Sequence, residues 1–354
     1  MGAAPVNVRM WGRAPGGRVV FIGAVHEAVP ALAAVLASPA EVVGVVTLPR
    51  ERAARASGYV DLEPAAAARG VPLLRCTDIN AAGQVERIVR LAPDLIVVVG
   101  WTRLIGPELL AVPSRGCVGF HASLLPRHRG RAPVNWAILR GETITGNTMM
   151  YLDASADTGD IIDQRPVPIG AADTCATVYA RVAEAGADML RRYLPALLAG
   201  TAPRHPQGPA DEGPLPKRTP GMGITDLSRP ARAVHDWVRA LTAPYPGAFA
   251  FWAGRKVMLW ASAVPGPGPR AGPPGPPGEV TDSGPAGVWV GTADGSVLLT
   301  AMSDEGTPPE PAWSWARRAG LRPGARFDPV DEATSRWALG LGPAPADAPA
   351  GGLP

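Results

Sequence analysis

Residues 94–100 read Asp-Leu-Ile-Val-Val-Val-Gly. Five aliphatic residues in succession, with no polar residue at alternate positions, do not suit a strand with one face in water. The run is too short for a buried helix, so it reads as a strand covered on both faces. Strands of this kind belong to parallel sheets, where crossover helices bury both sides. The neighbouring sequence supplies the partners. Arg18–Gly23, Glu41–Leu48, Val71–Leu74 and Gly116–His121 are further apolar runs. Between them, His26–Ala37, Leu62–Arg69 and Ala81–Leu91 carry apolar residues at helical spacing. This alternation predicts an α/β domain built on a mostly parallel sheet. Gly23-Ala24-Val25-His26 follows the first strand without a Gly-x-Gly-x-x-Gly pattern, which disfavours a dinucleotide site.

The pattern changes after His121. Pro133–Arg140 reads as a helix with Pro in its first turn. Asn147–Asp153 and Ile161–Pro168 read as neighbouring strands with a loop between them. Thr174–Leu198 is a long amphipathic helix with Val178, Val182, Ala185, Met189, Leu190 and Leu194 on one stripe. A first domain over 18–201 is therefore expected, followed by a Pro- and Gly-rich linker over 202–223. A second domain, 224–305, opens with a short helix bearing Val234, Trp237, Val238 and Leu241. The strand-like runs Ala248–Trp252, Lys256–Trp260, Gly287–Gly291 and Ser296–Thr300 then suggest a small β-barrel. Its 264–278 stretch is almost all Pro and Gly, and reads as an inserted flexible loop. Gly272, Gly275 and Gly278 recur every third residue, a run too short for a collagen helix. Within 306–354, Trp313–Trp337 interleaves Arg317, Arg318, Arg322, Arg326 and Arg336 with three Trp. That pattern can stack on RNA, but Glu310, Asp328, Asp331 and Glu332 dilute the charge and favour a solvated amphipathic segment. A disordered tail is expected from Pro343.

The net charge is +3 over 354 residues, compatible with an anionic ligand and too small to require nucleic acid. Cys76, Cys117 and Cys175 lie far apart and show no zinc spacing, so no metal is expected and the thiols read as reduced. No apolar run approaches the roughly 18 residues of a membrane span. Met1–Gly17 lacks a signal-like apolar core. A cytoplasmic protein is expected.

The chemistry concentrates in two places. Residues 117–131 read Cys-Val-Gly-Phe-His-Ala-Ser-Leu-Leu-Pro-Arg-His-Arg-Gly-Arg, and residues 156–160 read Ala-Asp-Thr-Gly-Asp. His121 ends a parallel strand, where open sheets place their ligands. Taken alone it could equally be a buried histidine satisfied by one backbone carbonyl. An imidazole can take and give protons near neutral pH. A nearby carboxylate holds the ring and stabilises the imidazolium. Asp157 can be that carboxylate or an Asx-turn residue, and Asp160 competes for the role.

The strand-end His, the Ser-Leu-Leu-Pro turn and the Asp-x-Gly loop together resemble the formyltransferases that use 10-formyltetrahydrofolate. The resemblance spans most of 18–198. Arg229–Leu241 with Pro244–Phe249 also resembles the carboxy-terminal unit of methionyl-tRNA and amino-sugar formyltransferases. It implies a Rossmann-like formyltransferase fold with a smaller OB-like β-barrel, a formyl transfer in one-carbon metabolism, and 10-formyltetrahydrofolate as co-substrate. His121 and Asp157 would be catalytic. Arg103, Leu104, Ile105, Arg131, and the loop Asp153, Ala154, Ser155, Ala156 and Asp157, would contact folate.

One position departs from the pattern. The family carries Asn two residues before the His, its amide stabilising the oxyanion, and here that residue is Gly119. Loss of one such donor costs about a hundredfold in rate. The gap should leave room for roughly one side chain beside His121, since i and i+2 share a strand face. Another group such as Asn135 or a water could replace the amide, the imidazolium could act alone, or activity could be lost. The expected acceptor is an amine of a nucleotide-linked sugar or specialised metabolite. Initiator methionyl-tRNA is a less favoured acceptor. Hydrolysis of the formyl group and a folate-binding pseudoenzyme are the alternatives. The carboxy-terminal unit is expected to govern the acceptor and leave folate binding to the first domain.

Overall fold

The computed structural model describes residues 17–55, 57–101, 103–210, 212–264 and 272–349. Expectations about residues 1–16, about 265–271 of the insertion and about 350–354 of the tail lie outside the described residues.

The first half of the chain alternates as anticipated. Strands β1 (Arg18–Gly23), β2 (Glu41–Thr47), β3 (Leu73–Arg75), β4 (Leu95–Val99) and β5 (Cys117–His121) are separated by α1 (Ala28–Leu36), α2 (Glu63–Ala67), α3 (Ala82–Arg90) and α4 (Pro107–Leu110). Then follow α5 (Pro133–Leu139), β6 (Ile144–Tyr151), β7 (Ile161–Pro168) and α6 (Cys175–Ala199). The sheet runs β3-β2-β1-β4-β5-β6-β7. β1 pairs in parallel with β2 and β4, β2 with β3, and β4 with β5. Strand order reverses between β1 and β4, the kind of switch point where open sheets take ligands beyond their carboxyl ends.

Both faces of the central strands are buried. Val19, Phe21, Leu95, Val97 and Val118 belong to one apolar cluster, and Val20, Ile22, Ile96, Val98 and Cys117 to another. Each such side chain contributes about 1.5–3 kcal/mol through burial. This accounts for the unbroken apolar run of β4.

The second half holds α7 (Ala231–Leu241), β8 (Ala248–Trp252), β9 (Arg255–Ala263), β10 (Val280–Gly284), β11 (Gly287–Gly291), β12 (Ser296–Asp304), β13 (Glu310–Pro311), α8 (Ala312–Ala319) and α9 (Glu332–Ala338). The strands pair as an antiparallel sheet, β10-β11-β12-β9-β8, with β13 on β12. Residues 324–328 join its two edges. Gly324 N–H donates to the Val280 carbonyl, Phe327 N–H to Gly278 and Asp328 N–H to Phe251. The sheet is thereby closed, as in a small barrel.

Two compact units emerge. One runs to Phe120 and includes Thr148–Gln164 and Ala183–Gln207; the other comprises His121–Asn147, Arg165–Val182 and the chain from Gly208. These units do not follow the boundary at 201. Within the second unit α5 packs on α7, and Asn135 Nδ2 donates to the Ala240 carbonyl at 2.6 Å. Arg239 Nη1 donates to the carbonyls of Gly170 (3.0 Å) and Asp173 (2.7 Å), while its Nε donates to Asp236. Arg239 and Asp236 are both buried, so each needs the other's charge and these carbonyls.

Three expectations change. The Trp313–Trp337 stretch is not a solvated segment: Trp315 is fully buried, edge-on to Trp252, and Leu321 and Phe327 are buried with it. The linker is not loose. His205 exchanges backbone hydrogen bonds with Ile161, and Leu215 is held between Arg129 and Arg131. The described end of the insertion is also fixed, with Gly278 N–H donating to Gly291. Among the described residues no helix is long and apolar enough to cross a membrane.

Candidate active site

His121 is buried at the end of β5. Its Nε2 lies 2.7 Å from the His128 carbonyl. A carbonyl only accepts, so Nε2 carries the proton in the neutral ring, and Nδ1 keeps the lone pair. The carbonyl is delivered by an uncommon backbone: His128 has φ of 57°. The loop carrying it is tied at several points. Ser123 Oγ donates to the Arg127 carbonyl at 2.7 Å, Leu215 N–H donates to Arg129 at 2.7 Å, and Arg131 N–H to Leu215 at 3.1 Å. His128 Nε2 sits 2.9 Å from Glu142 Oε1. Arg131 projects from this braced loop as an exposed side chain.

Asp157 lies in the other unit, on the loop between β6 and β7, with φ of 59°. Several contacts build that loop. Asp153 Oδ1 accepts from Ser155 N–H (3.0 Å) and Thr158 Oγ1 (2.8 Å). Gln207 Nε2 donates to the carbonyls of Asp157 (3.0 Å) and Gly159 (2.8 Å). Gly159 lies so close to the Tyr151 carbonyl that no side chain fits there. Asp160 pairs with Arg204 at 3.0 Å, and that guanidinium stacks on the Tyr151 ring. Asp160 is therefore engaged by Arg204. Ala154, Ser155 and Ala156 are exposed on the loop.

The turn after β4 presents Arg103 and Leu104 to solvent, Leu104 at 59% exposure, above a buried Ile105. Asn80 shapes it: Nδ2 donates to the Leu104 carbonyl at 3.0 Å and Oδ1 accepts from Gly106 N–H at 2.7 Å. Leu104 is thus left bare on a braced turn beyond the carboxyl end of β4.

Gly119 is not the gap expected. A Cβ built there would lie 2.6 Å from Leu152 Cδ2, with Leu152 Cγ and Cδ1 at 3.2 and 3.3 Å. The space is filled. Nor is Asn135 a substitute donor, because its amide is committed to Ala240. Asn80, Leu152, Gln207 and Leu215 escaped the sequence reading. They act through contacts distant in sequence, and only the Asp78-Ile79-Asn80 turn left a local signal. Cys117, near Gly119, is no nucleophile: burial pushes its thiol up to about 12. No cluster of potential metal ligands occurs among the described residues.

The mostly parallel sheet, with a buried His at the end of β5, is the kind of open α/β fold that takes ligands at the carboxyl ends of its strands. The formyl transferase family matches residues 18–194, and the formyl transferase carboxy-terminal domain matches residues 218–320. The chain belongs to the formyl transferase family. It is 36% identical over 312 residues to the methionyl-tRNA formyltransferase of Geobacter sulfurreducens, covering 88% of this chain and 96% of that protein. The fold is shared with HypX from Aquifex aeolicus, solved with tetrahydrofolic acid, at TM-score 0.60 and 22% identity. That match covers 89% of this chain but only 49% of HypX, about half its length. An N-formyltransferase from Helicobacter canadensis, solved with folinic acid and dTDP-3-aminofucose, matches at TM-score 0.60 and 16% identity over 79% of this chain and 98% of its own.

Proposed function

We propose that this enzyme moves the formyl group of 10-formyltetrahydrofolate to a primary amine, with His121 transferring the protons. The observation that carries the reading is the Nε2 contact to the His128 carbonyl, which leaves Nδ1 as the basic nitrogen. The amine attacks the formyl carbon and loses a proton to Nδ1. The C–N10 bond breaks and the proton passes to N10, giving an amide and tetrahydrofolate. The negative charge of Asp157 would favour the imidazolium. Folate would be contacted by Arg103, Leu104, Ile105, Arg131 and the 153–157 loop. Residues 18–201 form the catalytic domain in this reading, and 224–305 the acceptor-side barrel. The three free cysteines fit a reducing compartment such as the cytoplasm.

The acceptor proposed is a small amine, on a nucleotide-linked sugar or a specialised metabolite. A tRNA needs a track of available cations. In the barrel unit, Arg318 pairs with Asp304 and Glu310, Arg255 with Asp304, Lys256 with Glu305, and Arg232 and Arg239 with Asp236. A second reading, methionyl-tRNA, is favoured by the near end-to-end similarity to the Geobacter enzyme. Donor labelled in the formyl group, offered charged initiator tRNA, amino-sugar nucleotides and free amines, separates these readings. Label in an amide names the acceptor. Label released as formate means a hydrolase, and absence of both means a folate-binding protein without catalysis.

A further inference from the structure

We propose that Leu152 takes the place of the missing side chain at position 119 and sets whether the formyl group passes to an amine or to water. The inference rests on the formyl-transfer reading above. Gly119 has no left-handed φ, so backbone geometry does not demand glycine there. Space does. All three atoms met by a Cβ at this position belong to the Leu152 side chain, the nearest at 2.6 Å.

Leu152 cannot withdraw by moving its backbone. Its N–H donates to the Cys117 carbonyl at 2.8 Å, on the same strand as Gly119. The preceding Tyr151 N–H donates to Asp160 at 2.9 Å, and Gly159 presses on the Tyr151 carbonyl. Only rotation of the leucine itself could make room. Its side chain packs against the apolar cluster that holds Ile96, Val98 and Cys117.

Position 119 shares the strand face of His121, so what fills it borders the reacting carbonyl. An amide there would donate to the oxyanion. A leucine cannot, but it excludes water, which needs polar partners to settle. Exclusion matters because water is the rival nucleophile. Its oxygen can attack the formyl carbon, the C–N10 bond breaks, N10 takes a proton, and formate leaves with tetrahydrofolate. Gly119 and Leu152 thus act as a pair that gives up an oxyanion donor and gains a dry site.

Four variants test the pair: Leu152→Ala, Leu152→Met, Gly119→Asn, and Gly119→Asn with Leu152→Ala. With formyl-labelled donor and the acceptor that the labelling panel identifies, Leu152→Ala should raise the formate-to-amide ratio several-fold. Leu152→Met, of similar volume, should keep the native ratio. Gly119→Asn alone should lower both turnover and Tm, and adding Leu152→Ala should recover both. The Tm comparison needs no activity and stands even if the enzyme transfers nothing, in which case the functional reading alone fails. An unchanged ratio in folded Leu152→Ala overturns the inference. So does a Gly119→Asn protein as stable and active as the parent with Leu152 intact, which also decides the matter if Leu152→Ala does not fold.

Discussion

At the scale of residues, the proposed chemistry rests on two side chains whose surroundings constrain them differently. His121 Nε2 meets the carbonyl of His128, a residue in an uncommon backbone conformation. If it moves the protons, His121→Ala should lower turnover at least about a hundredfold, the usual size of a general acid–base contribution. Folate affinity, measured by fluorescence titration, should change little. Near-native turnover would remove His121 from the mechanism. Asp157 permits a cleaner substitution. Its φ of 59° suits Asn as well as Asp, and Gln207 holds its backbone carbonyl. Asp157→Asn should therefore keep the loop and the KM for folate while kcat falls by about tenfold or more. Gln207→Ala should do the reverse, loosening the loop and raising KM. Equal effects on kcat and KM from Asp157→Asn would make Asp157 a turn residue only. His121 and Asp157 could be proposed from the sequence because motif spacing is local. The closure of position 119 was not, since Leu152 lies 33 positions away in the chain and nothing near Gly119 announces it.

At the scale of elements, periodicity read well wherever one environment covers a whole segment. β4 is buried along its length and β5 at every residue but Phe120, and β7, β8 and β11 begin and end at the expected residues. It failed where a contact decides. α8 looked like a diluted basic stretch, yet Trp315 drops into the barrel core. β10 starts inside Pro/Gly-rich sequence and owes its place to hydrogen bonds with residues 324 and 325. α7 makes a testable case. His235 Nδ1 lies 3.0 Å from Ser262 Oγ, and Nε2 lies 3.3 Å from the Ala171 carbonyl. Burial pushes this imidazole below its ordinary 6.5, and Arg239 and Arg232 add to the effect against Asp236. The folded protein therefore keeps His235 neutral where the unfolded chain would protonate it. Stability is full above about pH 6.5 and falls as pH drops toward the lower folded value, because the unfolded state binds the extra proton. His235→Gln should flatten the fall in Tm between pH 7 and 5. A slope identical to the parent's would assign the loss to other groups.

At the scale of the whole molecule, the chain divides elsewhere than its composition suggests. The Pro/Gly-rich stretch near 202–223 looks like a boundary that a truncation could respect, leaving a first domain able to bind folate. The structure argues otherwise. His121, its supporting loop and α5 belong to the compact unit that continues from Gly208. Every residue of α5 from Pro133 to Leu139 is buried, and its partners lie in the linker after Gly208 and beyond it. Trp136 Nε1 donates to the Pro216 carbonyl at 3.1 Å, its ring stacks on Arg218 at 4.7 Å, and Asn135 binds the carbonyl of Ala240. Leu215 supplies both backbone hydrogen bonds that brace residues 129 and 131. A chain ending at Gly208 would lose all of these and expose Val134, Trp136 and Ile138 to water. Uncovering three such side chains costs several kcal/mol at about 1.5–3 each, against a typical total stability of about 5–15. The truncated chain should therefore show no cooperative unfolding transition, rapid proteolysis within 121–147, and no folate binding. A sharp calorimetric transition together with native folate affinity would show that the first domain stands alone and that the barrel is needed only for the acceptor.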